Sequence, residues 1–446
     1  MHFKGENSKI KNIYEGGIHM KAYKDLSYKE LQTLYDNLQN DYNNIKNQHI
    51  QLNMARGKPD HDQIQLSLDM LDTLNSQTDF SQHENYLNYG ILDGIDEAKK
   101  FFGDMLDVDP EQVIVCGNSS LNIMFDQITR SYTHGVQGET PWCKLDKIKF
   151  LCPVPGYDRH FAITQHYGIE MINIPLNDYG PDMDMVEHYV NNDASVKGIW
   201  CVPQYSNPSG ISYSDEVVTR FASLKPAAKD FRIYWDNAYC VHHLYDDQQD
   251  HVKNIIKECE KQGNPDLVYE FCSTSKVTIP GAGISAMATS PRNKKEILSH
   301  MTIQGIGFDK LNQFRHCLYL QDMTHLQEHM SKQAEYLRPK FKIVLDMLDK
   351  ELSGLGIAKW TRPLGGYFIS FDSLEGCAKT IVAKCKEAGA ILTNAGATFP
   401  YGIDPKDTNI RIAPSFPDQN ELTQAVKLFI LCVKIVSIEK IMNAKK

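Results

Sequence analysis

Lys276 stands behind three small hydroxyl residues, Ser273, Thr274 and Ser275, at the end of the apolar run VYEFC, and ahead of Pro280 and Gly281. An amine so placed is either a solvated strand end or a reactive nucleophile, and its surroundings decide which. Four further apolar runs end in residues of comparable chemistry. FRIYWD ends on Asp236, followed by Asn237, Ala238 and Tyr239. A carboxylate there is costly to bury unless a cation meets it, whether a pyridinium nitrogen, an arginine or a metal. KGIWCVP leads to QYSNPSG, where Pro208 biases Asn207 away from helix and Gly210 permits a tight reversal. VIVC leads to Gly117, Asn118, Ser119 and Ser120 before the helical pattern LNIMFDQIT, which reads as an ordinary N-cap or as a phosphate cradle. KFLC leads to Pro153, Pro155, Gly156 and Tyr157, a turn that packs an aromatic ring or lifts its face beside a flat ligand. Each member has a purely structural reading. The set of amine, carboxylate, phenol, amide and phosphate cradle has none.

The elements that must carry these residues follow from the pattern. Between about 95 and 290 short β-like runs (VIVCG, KFLCPV, IEMINIP, KGIWCVP, FRIYWD, VYEFCS) alternate with helical ones, which predicts an α/β fold with a mostly parallel central sheet covered by helices. In such a sheet ligands bind at the carboxyl ends of the strands, where the residues above lie. Ser27 and Glu30 form a capping box, and Leu31, Leu34, Tyr35, Leu38, Tyr42 and Ile45 follow at helical spacing. Residues 310 to 353 read as a long helical stretch that Pro339 bends or breaks. Beyond it the sequence predicts a strand in GGYFISF, a helix at about 375 to 388, a strand pair around ILTNAG and NIRIAP, and a closing helix from Glu421. The expected organisation is a flexible tail over 1–20, a small α+β domain from 21–55 and 325–446, and a large α/β domain over 56–324.

Composition narrows the function classes. With 42% hydrophobic and 23% charged residues, the chain is ordinary for a soluble globular protein. A net charge of −9, from 47 basic and 56 acidic residues spread along the chain, offers no basic field for nucleic acid or an anionic membrane. Small molecules are the expected partners. The eleven cysteines show no CxxC pairing and sit mostly in apolar runs, as reduced core residues of a cytoplasmic protein do. No stretch approaches the ~20 apolar residues of a membrane span, and the polar segment MHFKGENSKIKNIYEGG lacks the apolar region of a signal peptide.

Taken in order, Asn207-Pro208 with Gly210, Asp236-Asn237-Ala238-Tyr239, Ser273-x-Ser275-Lys276 with Pro280-Gly281, Gly365-Gly366-Tyr367-Phe368, and Arg411 in NIRIAPSF resemble the aspartate aminotransferase family of fold type I pyridoxal-phosphate enzymes. The resemblance covers roughly residues 50 to 440. ARGKPD, CGNSSLNIM, the Lys276 segment and DKLNQFRH look like the divergent subgroup Ic. It implies that Lys276 joins pyridoxal 5′-phosphate as a Schiff base and later moves a proton, and that Asp236 holds the pyridine nitrogen protonated. Tyr239 and Asn207 would bond the ring's phenolate oxygen, and Tyr157 would stack on the ring. Ser273 and the backbone of Gly117, Asn118 and Ser119 would hold the phosphate, and Ser275 would belong to the cofactor site. Arg411 would grip the substrate α-carboxylate in a bidentate fork, with Gly57 and the GGYF turn at the entrance. Tyr89 resembles the tyrosine that reaches the cofactor phosphate of a neighbouring subunit, which implies a homodimer. The implied reaction moves an amino group between L-aspartate and 2-oxoglutarate.

Two departures stand out. Typical members carry an arginine shortly after the Pro-Gly, where this chain has Gly283 or Ile284, so Lys310 and Arg315 are candidates to balance the phosphate. An arginine reading a side-chain carboxylate could be Arg56, Arg159 or Arg362. Rival readings fare worse. GAGISA fits GxGxxA, but a hydroxyl-rich loop with a proline precedes it instead of a strand, which disfavours a dinucleotide site. His242-His243 lacks the spacing of a zinc site. An effector sensor fused to a DNA-binding module would need a winged-helix segment or basic arm before residue 27, and none is present. Aminotransferases of alanine, aromatic amino acids or 2-aminoadipate, and a β-lyase or decarboxylase, share the lysine, aspartate and tyrosine and remain as alternatives.

Overall fold

Eight strands form the main sheet of the computed structural model, which describes residues 21–446; the tail expected over 1–20 lies outside the described residues. In chain order they are β1 (Val113–Cys116), β2 (Lys149–Val154), β3 (Glu170–Asn177), β4 (Gly180–Pro181), β5 (Val196–Cys201), β6 (Arg232–Asp236), β7 (Val268–Ser273) and β8 (Ser285–Ala288). Their order across the sheet is β1-β8-β7-β6-β5-β2-β3-β4. Strands β7, β6, β5, β2 and β3 run parallel. Strand β8 is antiparallel to both neighbours, so β1 points the same way as β7. All five apolar runs that end in chemistry-bearing residues therefore finish at one edge of the sheet, the edge where ligands bind in this class of fold.

Burial on both faces explains why these strands read as continuous apolar runs. Every residue of β1, β5 and β6 is buried. Alternation along each strand sends Ile199 and Trp235 into one apolar cluster and their neighbours Trp200 and Tyr234 into the cluster on the opposite face. Helices α2 (Ser120–His134) and α3 (Asp158–His166) follow β1 and β2 directly.

A third apolar cluster lies outside the main sheet. Helix α1 (Tyr28–Lys46) begins with the capping box expected at Ser27 and Glu30 and contributes Leu31, Leu38 and Tyr42. Helix α4 (Lys310–Leu320) leads into α5 (Met323–Leu352), whose second half adds Phe341, Val344 and Leu348, and α6 (Gln419–Ala444) adds Phe429 and Val433. A three-stranded antiparallel sheet of Ala358–Trp360, Ile369–Ser373 and Asn409–Ile412 completes this layer. The cluster also takes in Tyr205 and Tyr239, which come from the ends of main-sheet runs. No helix among the described residues is long and apolar enough to cross a membrane.

Two local expectations are corrected. The helical stretch breaks at Gln321, which has a positive φ of 54°, and restarts at Asp322, whose carboxylate caps the His325 amide at 3.0 Å. Pro339 sits inside an unbroken α5. The hydrogen bond it removes is offset by Leu337, Phe341 and Val344, buried on either side of it. ILTNAG and NIRIAP do not pair with each other. Ala390–Ile391 pairs in parallel with Leu52–Asn53, and Asn409–Ile412 pairs with Ile369–Ser373. Gly389 makes the first pairing possible, because a Cβ there would lie 1.9 Å from the Ile50 carbonyl oxygen.

One buried charge in the sheet costs stability. Glu270 in β7 is 3% exposed, and burial pushes its carboxyl up from the ordinary 4.5 to about 7, opposed only by a 2.9 Å bond from the Asn237 amide. A raised carboxyl pKa means the native state holds a proton that the unfolded chain has lost, so the penalty appears above pH 4.5 and is complete above about 7. E270Q should therefore be more stable than the wild type by on the order of 1 to 3 kcal/mol at pH 8. Melting curves at pH 8 and pH 5 check this, since the advantage should shrink at the lower pH.

Candidate active site

Asp236 is the last residue of β6 and is 3% exposed. Its Oδ2 meets His160 Nε2 at 2.9 Å, while its buried Oδ1 has no partner among the described residues. His160 lies three residues after Tyr157, one helical turn along α3, and its ring stacks on Trp200 with centroids 4.6 Å apart. The Tyr157 ring stands edge-on to His160 at 4.9 Å. Burial pushes the Tyr157 hydroxyl up to about 12, with the Lys276 ammonium pulling the other way, so the phenol and the amine sense each other.

Lys276 follows β7, and its Nζ sits 4.9 Å from the centre of the Tyr239 ring. Among the described residues no carboxylate lies within ion-pair distance of that amine. Tyr239, 3% exposed, has its hydroxyl bonded to the Asn207 side chain and its pKa raised by burial and then by the Asp236 charge. Asn207 Oδ1 also accepts from Arg411 Nη1 at 3.3 Å. Lysine, two phenols, carboxylate, amide and arginine thus form one connected group.

Arg411 lies in the strand Asn409–Ile412 and is 8% exposed. Its guanidinium stacks 4.9 Å from the Phe368 ring. Nη1 also donates to Asp158 Oδ1 at 3.1 Å, and Nε and Nη2 reach Thr393 Oγ1 at 3.4 and 3.3 Å. Gly57 packs against the tip of the Phe368 ring, where an added Cβ would come within 2.3 Å of Cζ. Only glycine lets that segment close over the ring.

The turn after β1 is drawn to the lysine loop. Ser275 Oγ donates to Asn118 O at 2.9 Å, and Ser285 Oγ donates to Gly117 O at 2.7 Å. The Ser275 hydroxyl proton is thus committed to the backbone. Ser119 is the N-cap of α2 without a side-chain capping bond; its carbonyl accepts from the Asn122 amide at 3.1 Å, while the Ser120 and Leu121 amides have no partner among the described residues and are open to an anion. The Ser273 hydroxyl has no partner among the described residues. Lys310 Nζ donates to Gly90 O at 3.1 Å. Arg315 Nη2 bonds Asn312 Oδ1 at 2.5 Å, and the Asn312 amide donates to Ala282 O and Gly283 O at 3.1 and 3.0 Å, while Arg315 Nε is buried without a partner. Arg362 is engaged with Asp349 on the exterior, and Arg56 and Arg159 are exposed.

Tyr89 is the exception. It is 83% exposed, and among the described residues no hydrogen bond or ring contact joins its side chain to the group. Sequence reasoning also missed residues that the fold brings in: His160, Asp158, Thr393 and His242, whose Nε2 lies 3.4 Å from Lys276 O. The spacing of Tyr157 and His160 in YDRH was a readable signal, since it places both on one helix face. Nothing local marks Thr393.

A family model for aspartate amino-transferase matches residues 26–445. An aspartate aminotransferase of Corynebacterium glutamicum is 41% identical over 425 residues, 95% of this chain and 98% of the relative. The solved structure of an aspartate transaminase from the same organism superposes with a TM-score of 0.91, covering 94% of this chain and 99% of the other. An α-aminoadipate aminotransferase of Thermus thermophilus, complexed with N-(5′-phosphopyridoxyl)-L-leucine, shares the fold at 18% identity and a TM-score of 0.69, covering 86% of this chain and 92% of the other. By these matches the chain belongs to the aspartate amino-transferase family, fold type I aminotransferases whose family depends on pyridoxal phosphate.

Proposed function

We propose that the protein is a pyridoxal-phosphate-dependent aspartate aminotransferase, with Lys276 as the residue that carries the cofactor and 2-oxoglutarate as the acceptor. The observation that carries the cofactor assignment is Asp236 Oδ1, a buried carboxylate oxygen without a protein partner, whose twin is held by His160. A protonated ring nitrogen is a donor that fits it. Bound there, the cofactor would supply an electron sink for the pair released at the substrate Cα.

The chain's own residues do the rest. Asp236 keeps the ring nitrogen protonated, and His160 keeps Asp236 in place. Tyr239 and Asn207 serve the ring's phenolate side, and Tyr157 covers a face. Ser273 and the segment Gly117, Asn118 and Ser119 serve the phosphate, Ser275 belongs to the cofactor site by holding that segment through Asn118 O, and the open amides of α2 and the Arg315 guanidinium supply the positive charge that an arginine after Pro280-Gly281 supplies elsewhere. Lys276 Nζ, free of ion pairs, takes and returns the proton at the substrate Cα. Arg411 holds the substrate α-carboxylate, and Gly57 lines the entrance above Phe368. The name borne by the 41% identical relative supports aspartate as the donor. The exposed Tyr89, on a loop tied down by Lys310 through Gly90 O, supports a homodimer in which Tyr89 serves the partner's phosphate site. The composition supports a cytoplasmic enzyme.

Purified protein supplied with pyridoxal phosphate should show a visible absorption band that L-aspartate, added without any oxo acid, converts to one at shorter wavelength. Absorbance titration reads this directly. In K276A the transfer rate should fall by about 10²- to 10⁴-fold. Much faster conversion by alanine or an aromatic amino acid would move the donor assignment and leave the reaction class standing. R411K keeps the charge but loses the planar fork, so the KM for aspartate should rise roughly 10- to 100-fold with a smaller change in kcat. Steady-state kinetics with aspartate varied checks it.

A further inference from the structure

We propose that Asp158 is a resident competitor for the substrate's carboxylate: it neutralises Arg411 and must release it when substrate binds. The proposal rests on the reading of Arg411 as the carboxylate-binding residue. A guanidinium has five N–H donors. Arg411 has four in use: one on Nε to Thr393, two on Nη1 to Asp158 and Asn207, and one on Nη2 to Thr393. A two-pronged grip on an incoming carboxylate therefore has to displace at least one resident acceptor.

Asp158 is the acceptor best suited to leave. The Thr393 hydroxyl is anchored by its own 2.9 Å bond to Ala55 O, and Asn207 is 3% exposed and shared with Tyr239. Asp158 has the same chemistry as the incoming group, and its side chain is 34% exposed against 8% for Arg411, so it can turn to water. It is the first residue of α3, where the helix N-terminus favours a carboxylate in either position. The exchange is carboxylate for carboxylate, so a nearly buried guanidinium keeps a counter-charge throughout, where leaving it bare would be costly. The consequence is a tax on carboxylate affinity. An anion binding at Arg411 works against a negative charge already present, and removing that charge should tighten binding.

The test uses the holoenzyme and succinate, a dicarboxylate without an amine, as a dead-end competitor against aspartate. D158N, which keeps the acceptor oxygen and drops the charge, should lower the inhibition constant of succinate and the KM for aspartate about three- to tenfold, with kcat changing by less than KM. D158S should shift both in the same direction, and D158E, which retains the charge, should return both toward wild-type values. Unchanged or weaker succinate binding in both D158N and D158S overturns the proposal, because Asp158 would then be orienting Arg411 or doing nothing. R411K separates the two levels. If it leaves succinate binding intact, the assignment of Arg411 fails and takes this proposal with it, whereas loss in R411K with no gain in D158N sinks the competitor role alone.

Discussion

A carboxylate buried with only one of its oxygens satisfied is the constraint around which this site is arranged. Asp236 ends a strand in which every residue is buried, so it cannot reach water by fraying. Taking a carboxylate out of water costs several kcal/mol unless a cation or proton donors meet it. His160 meets Oδ2 and is fixed flat against Trp200, with an interplanar angle of 14°. The open Oδ1 is a standing demand for a buried proton donor. A flat heterocycle with a basic nitrogen would satisfy it, and the phenols, amide and amine of the connected group lie beside the same carboxylate.

That carboxylate is tied to Arg411 through a single helical turn. Tyr157 immediately precedes α3, and Asp158 and His160 in its first turn reach the Arg411 guanidinium and Asp236 respectively. Asp158 and His160 are both fixed to the same first turn of backbone. A shift of α3 large enough to loosen Asp158 from Arg411 would also disturb His160 against Asp236. Arg411 in turn shares Asn207 with Tyr239, which senses the Asp236 charge, so Arg411 and Asp236 are joined by two separate routes.

What the sequence disclosed follows from the range of the forces involved. The parallel sheet was legible because burial on both faces writes itself as unbroken apolar runs, and the site residues were legible because they follow those runs directly. Ser27 and Glu30 announced their helix because a capping box is complete within four residues. The failures were non-local. ILTNAG was joined to the wrong partner because strand pairing depends on the turn at Gly389 and its approach to Ile50, far away in the chain. Pro339 was overweighted because the burial that sustains α5 around it comes from α6, distant in the chain. Thr393 could not be seen because its only qualification is where the 390 segment lands. His160 could have been found, since it repeats the position of Tyr157 one turn on.

The loop bearing Lys276 shows how a site can be rigid and still leave its amine unencumbered. Its backbone carbonyls are held from outside: Lys276 O by His242, Val277 O by His329 at 2.7 Å and by Gln333 at 3.3 Å, and Ala282 O and Gly283 O by Asn312. Thr274 closes the base by bonding the Ile284 amide at 2.9 Å. These donors are uncharged. Burial and the Lys276 charge push His242 down to about 3, and burial lowers His329 as well, so both imidazoles stay neutral across the physiological range. Positioning by neutral groups acting on carbonyl oxygens leaves the ammonium without a fixed counter-ion. A lysine locked into an ion pair would have to break it at each exchange of a covalent partner, whereas this one has no ion pair among the described residues and lies over the face of Tyr239, 4.9 Å away. Backbone rigidity combined with side-chain freedom is what a residue needs if it must form a bond, release it and move a proton from nearly the same place.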